Sequence, residues 1–341
     1  MKRFLFPLLL LTSFQNSFGQ YLWKNIPIEV KSSFRAISVV DNKVAWLGGS
    51  KGAVGRTRDG GKTFSFSQVN GFEALDFRSV YAFDSLTIVI ANAGSPACIL
   101  RTEDGGKNWK QVYRNEAKEA FIDGIDFWND KRGLIYGDPM SGKMLLIATN
   151  DGGITWTEVS ESQRPDLKEG EASFAASGTG MRCYDKKKIA ITTGGKISRL
   201  WTSTDNGETW NVADLPIIQG IESAGAFSSI FWNKKGVVVG GDYKNDAQTG
   251  QHVYLTLDKG KTWNLPIRPT RGLREAVESL GDDYLIAVGP QGADQSNDGG
   301  MNWTPLSDEK GFHTIRKARD GSLIIAAGNG KIAVISKKGK P

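Results

Sequence analysis

From Tyr21 onward, short apolar runs rich in Val, Ile, Phe and Trp alternate with Gly, Asn and Asp, and no 3.6-residue apolar period is sustained. That pattern predicts an all-β chain. The runs fall in groups of four. The first group predicts strands at Phe34–Val40, Val44–Gly48, Val54–Thr57 and Phe64–Val69; the second at Phe77–Phe83, Thr87–Ala91, Cys98–Thr102 and Trp109–Tyr113. The third runs Ile122–Trp128, Gly133–Tyr136, Lys143–Thr149 and Trp156–Val159. The fourth is expected to start near Phe174 and continue through Ile189–Thr193, Leu200–Ser203 and Trp210–Ala213. The fifth starts in Ala224–Trp232 and continues through Gly236–Gly240, His252–Thr256 and Trp263–Ile267; the sixth runs Arg274–Leu280, Tyr284–Val288, Ala293–Ser296 and Trp303–Leu306. A seventh group has three runs, Phe312–Ala318, Leu323–Ala327 and Lys331–Ser336.

One frame recurs between the third and fourth runs of six groups. Thr57–Phe64 reads TRDGGKTF, Thr102–Trp109 TEDGGKNW, Thr149–Trp156 TNDGGITW, Ser203–Trp210 STDNGETW, Thr256–Trp263 TLDKGKTW and Ser296–Trp303 SNDGGMNW. Its aspartates, Asp59, Asp104, Asp151, Asp205, Asp258 and Asp298, are spaced by 45, 47, 54, 53 and 40 residues. A period in that range, on β-patterned units, signals propeller blades. The frame is a self-bonded turn: Asp and Ser or Thr hydrogen-bond nearby backbone, Gly supplies a positive φ, and the Trp is an apolar anchor for the next strand. The predicted fold is a seven-bladed propeller of four-stranded antiparallel blades. Tyr21–Ile28 resembles the fourth-strand stretch Trp263–Ile267, so the N-terminal strand is expected to complete the last blade and cover its edge.

The six stretches resemble the Asp-box, or BNR repeat, of the sialidase-like β-propellers, with Phe64 in place of Trp as the one departure. That resemblance implies a structural role for the six aspartates, away from the functional face. It also brings three branches to mind. Sialidases use an arginine triad, which Arg35, Arg78 and Arg274 imitate without a motif to tie them to it, and this chain has no Arg-Ile-Pro stretch near its start. Xyloglucanase-like hydrolases use two Asp on paired propellers; in a hydrolase reading, Asp123 and Glu222 are the candidate catalytic pair here. The photosystem II stability and assembly factor family, a single exported propeller that binds a protein partner, is the most similar branch, through the one-propeller length, the export signal and the Arg-bearing starts Phe34-Arg35 and Phe77-Arg78.

At the N-terminus Met1-Lys2-Arg3, the apolar run Phe4–Leu11 and Ser17-Phe18-Gly19 read as a signal peptide over residues 1–19, followed by one domain over 20–341. Export to the periplasm or beyond is expected. No Cys stands near the cut, so no lipid anchor is expected there, and no later stretch reaches the ~20 apolar residues of a membrane span. Removal of Lys2 and Arg3 takes the net charge from +6 to +4, which is no nucleic-acid footprint. Cys98 and Cys183 read as separate free thiols, and with His252 and His313 they make no metal pattern; no cofactor is expected. Gly137–Lys143 fits a phosphate-loop pattern and Gly48–Gly52 a nucleophile-elbow pattern, but each is a strand–strand turn with no helix behind it.

With strands lettered a to d from the channel outward, the d–a and b–c connections share one face and the Asp-box turns lie on the other. The starts of the a strands carry Arg35, Arg78, Asp123, Glu222, Arg274 and His313, with Glu171 just before the fourth. The ends of the b strands add Asp138 and Asp242. These residues form the expected ligand site, a polar mouth suited to a protein or glycan partner. Two long loops share this face, Thr157–Gly170 and Asp242–Gln251. The leading reading is a non-enzymatic, monomeric binding or assembly propeller; the alternative is a glycoside hydrolase.

Overall fold

Tyr21–Ile26 pairs antiparallel with Lys331–Lys337, from Tyr21 opposite Lys337 to Ile26 opposite Ile332. The N-terminal strand therefore closes the last blade, as its sequence predicts. The computed structural model describes residues 21–338, which form seven antiparallel sheets. Each has its innermost strand on the central channel: Phe34–Val39, Phe77–Ala82, Ile122–Phe127, Met181–Tyr184, Ala224–Trp232, Ala276–Gly281 and Phe312–Lys317. The expected signal peptide lies outside the described residues. Among these residues no helix is long and apolar enough to cross a membrane.

The core lies between blades rather than within them. Each Asp-box aromatic packs into the junction with the preceding blade: Trp109 with Trp46 and Val54, Trp156 with Tyr81 and Val89, Trp303 with Val237 and Val253, and Phe64 with Ile325 of blade seven. The junction of blades six and seven has no such residue. There Trp23 of the closing strand takes the place, its ring 4.8 Å from Phe312 and edge-on to it. Trp23 thus ties closure of the ring to burial of apolar surface, the dominant favourable term in folding.

Two blades depart from the expected pattern. Blade four begins at Met181, not near Phe174. The run Ala175-Ala176-Ser177-Gly178-Thr179-Gly180 has too little side chain to pack between blades, and Gly178 takes a φ of 63°. Blade five has three full strands, and its fourth is reduced to a single bridge between Leu255 and Asn264. Pro266 has no N–H to continue the ladder, and the N–H groups of Ile267 and Arg268 turn to the Met301 carbonyl of blade six. On its inner side the same sheet gains Gly194–Gly195 and Glu171–Ala172.

Candidate functional site

The Asp-box turns are held as their sequence predicts. Asp104 Oδ1 accepts from the Lys107 and Asn108 N–H groups at 3.0 and 2.9 Å, Oδ2 accepts from Asn108 Nδ2 at 2.7 Å, and the Thr102 hydroxyl donates to Oδ1 at 2.8 Å. These donors, the Asn108 N–H first, hold the Asp104 carboxyl down at about 2. The Gly105 N–H donates to Leu86 O, in the turn between strands a and b of its own blade, and Gly60, Gly152 and Gly299 do likewise to Lys43, Lys131 and Asp283. The Asp-box face is therefore the face on which the a strands end.

At the opposite end, where the a strands begin, a β-bulge falls on Arg35, Arg78, Asp123, Phe227 and His313. A bulge re-aims the extra side chain, here toward the channel. What the side chains meet there is the chain itself. Residues 173–180, from the connection between blades three and four, cross the channel as a plug. Arg35 Nη1 donates to Ala176 O at 3.1 Å and Arg78 Nη1 to Ala175 O at 3.3 Å. Thr314 Oγ1 donates to Ser177 O at 2.8 Å, and Ser177 Oγ donates to Glu275 O at 2.7 Å. Phe174 stacks on Phe227 with ring centres 4.1 Å apart. Glu275 accepts from Arg35 at 3.4 Å and from His313 Nδ1 at 2.5 Å. Arg35, His313 and Glu275 thus form one hydrogen-bonded cluster against the plug.

Of the remaining expected mouth residues, Asp138, Glu171 and Glu222 line one groove, and Arg274 and Asp242 lie elsewhere. Arg274 is fully buried and ion-paired to Asp294, with Nε donating at 3.0 Å. In blade six it is Glu275, immediately before Ala276, that reaches the plug. Glu171 is buried and accepts from Thr193 Oγ1 at 2.6 Å, Arg199 Nε at 2.9 Å and Trp201 Nε1 at 3.1 Å. Asp242 accepts from the Lys244 N–H at 2.9 Å. Glu222 is exposed, in a shallow groove with Asp138 and Lys118. Asp138 accepts from the N–H of Ser173, at the base of the plug, at 3.0 Å. Asp123 is wholly buried, and neither carboxylate oxygen has a hydrogen-bond partner among the described residues. Burial, and then the charge of Asp138, push its carboxyl well above the usual range, with Arg78 opposing. Asp123 and Glu222 therefore occupy different environments. In the long loop before the plug, Arg164 is pinned to Glu158 at 2.9 Å.

Beyond the plug, toward the Asp-box face, the channel holds a cavity of about 250 Å³ lined by the inner strands of all seven blades. Arg182, Arg316, Lys317 and Arg319 line it, with Asp126 and Glu278. Arg182 Nη2 donates to Glu278 Oε2 at 2.9 Å. Arg316 Nη2 donates to Gly178 O at 2.9 Å, which ties the cavity wall to the plug behind it. The Arg319 guanidinium lies 4.5 Å over the Tyr81 ring and bonds Ser38 Oγ at 3.0 Å. Lys317 has no ion-pair partner among the described residues. Burial raises the carboxyls of Asp126 and Glu278, with Arg182 opposing the shift in both. The cavity is thus closed behind and cationic. Sequence reasoning put its candidate residues at the other end of the channel and did not single these out. Their signal is a charge set within an apolar inner strand: Ile125-Asp126-Phe127, Met181-Arg182-Cys183, Val277-Glu278-Ser279 and Ile315-Arg316-Lys317.

Residues 16–118 match the profile of the family described as photosynthesis system II assembly factor YCF48. The photosystem II assembly lipoprotein Ycf48 of Synechococcus sp. (strain CC9902) is 23% identical over 251 residues, which cover 71% of this chain and 67% of that protein. The solved structure of YCF48 bound to D1 peptide superposes with a TM-score of 0.65 at 18% identity, over 92% of this chain and 96% of that one. YCF48 from Cyanidioschyzon merolae gives 0.61 at 17% identity, over 92% and 98%. The GH74 xyloglucanase from Xanthomonas campestris gives 0.60 at 14% identity, over 92% of this chain and 53% of that one. In sequence and in architecture, this chain is a seven-bladed Asp-box propeller similar to the photosystem II assembly factors.

Proposed function

We propose that the chain is an exported, non-catalytic binding propeller that holds a polypeptide partner at the channel mouth on its Asp-box face. The observation that carries this reading is the cationic cavity closed behind by the plug, with Lys317 free of any ion pair among the described residues. Converging cations in a concave site suit an acidic segment. Similarity to assembly factors supports a protein as the partner, because one such structure is of a complex with a peptide. The leader pattern of residues 1–19, and a relative named as a lipoprotein, support export. In this reading Arg35, Arg78 and His313 serve binding indirectly, by fixing the plug that floors the site. The hydrolase alternative needs Asp123 and Glu222 to act on one bond, and the burial of the first beside the exposure of the second argues against it.

The test is capture of partners from the native envelope by the wild type and by the double variant Lys317→Glu, Arg319→Glu, followed by calorimetric titration of the recovered protein. Reversing two mouth charges is expected to weaken binding by about 2 kcal/mol or more, with binding that also falls as salt rises. Equal capture and equal affinity in the two proteins would overturn the proposal.

A further inference from the structure

The cavity has a neighbour that shares part of its wall. Tyr184 and Phe231, which line the cavity, also line a groove of about 500 Å³ that runs outward between blades four and five. The groove continues along Trp232, Lys188 and Lys259. The Tyr184 and Phe231 rings lie nearly parallel, with centres 6.1 Å apart. Trp232 is fixed before any ligand arrives, because its Nε1 donates to Asp283 Oδ1 at 2.8 Å and Asp283 is in turn paired with Lys235. Lys188 is already paired with Asp185, whereas Lys259 has no ion pair among the described residues. Between blades two and three, by contrast, Tyr81, Phe83 and Phe127 pack more closely, at 4.4–5.0 Å.

We infer that this groove is a second subsite for the partner, and that the segment bound is an extended acidic polypeptide carrying an aromatic residue. The inference rests on the proposed function. Acidic side chains enter the cationic cavity, the chain leaves radially between blades four and five, and its aromatic ring lies on Tyr184, Phe231 and Trp232. Charge complementarity chooses an acidic segment. The plug stops a chain from threading through the channel, so the groove that shares Tyr184 and Phe231 with the cavity is the exit. Pre-fixed aromatic walls supply apolar area at low entropic cost.

Fluorescence anisotropy with amidated synthetic peptides tests this. Each peptide carries Glu-Glu separated from a Trp by one to four glycines, and each has a control with Ala for Trp. At one spacing the Trp peptide is expected to bind about tenfold tighter than its control. Trp232→Ala should remove that difference and leave the control's affinity unchanged, while Lys317→Glu should weaken both. Because Trp232 also touches the junction of blades five and six, Lys259→Glu provides a surface variant, expected to weaken the Trp peptide several-fold. Equal binding of Trp and Ala peptides at every spacing sinks the groove inference and leaves the cavity reading standing. Absence of binding by all the peptides sinks both.

Discussion

The two ends of the central channel are built from the same seven strands and have opposite fates. Where the strands begin, Arg35, Arg78 and His313 are spent on the plug and on Glu275. Where they end, Lys317 is unpaired among the described residues and Arg182, Arg316 and Arg319 crowd around two carboxylates whose charge burial disfavours. Charge at a mouth is therefore not evidence of a ligand site until its partners are known. The internal partner at one end is a run of small residues whose backbone carbonyls do the accepting, and that partner leaves the other end blind and cationic.

The largest effect should come from breaking the ring that both ends share. Deleting residues 21–30 strips Trp23 from its junction and bares the Lys331–Lys337 edge. We expect the truncated protein to lose its cooperative melt or to aggregate; a melt like that of the full chain would disprove closure by this strand. Next is Arg35→Ala, which leaves the Glu275 carboxylate in the interior with His313 alone and frees Ala176 O. The loss should be about 1–3 kcal/mol by denaturant titration, and a variant as stable as the wild type would show that the plug needs no cation.

A smaller, pH-dependent effect should follow Asp123→Asn. A buried carboxyl raised above its unfolded value takes up a proton on folding. Its cost is absent below the unfolded value, near pH ~3.9, and grows as pH rises toward the folded value. The Asn variant should therefore gain on the wild type between pH 4 and 7 in melting temperature. A constant difference across that range would mean that Asp123 does not titrate there. Lys317→Glu should have the smallest effect on folding, within about 0.5 kcal/mol, because the ammonium has no ion pair to lose among the described residues. Strong destabilisation by that change would make the open end as structurally committed as the plugged one.

The six Asp-boxes made the blades countable because each turn is satisfied by residues within four positions of its aspartate. Alternating apolar runs did the same for the strands, and the likeness of Tyr21–Ile28 to Trp263–Ile267 exposed the closing strand. Those are local relations, and a sequence displays them directly. The plug is not local: Ser177 meets Glu275 and Thr314, about a hundred residues or more away, through backbone atoms that every residue type possesses. Nor does the sequence show that Glu275 rather than Arg274 turns to the channel, since Arg274 is drawn to Asp294 and that pairing leaves no mark in composition. The chain by itself determined the fold, the blade count and the seam. Only the tertiary structure decided which end of the channel is closed, because that depends on which distant groups satisfy one another's charges and hydrogen bonds once the ring is shut.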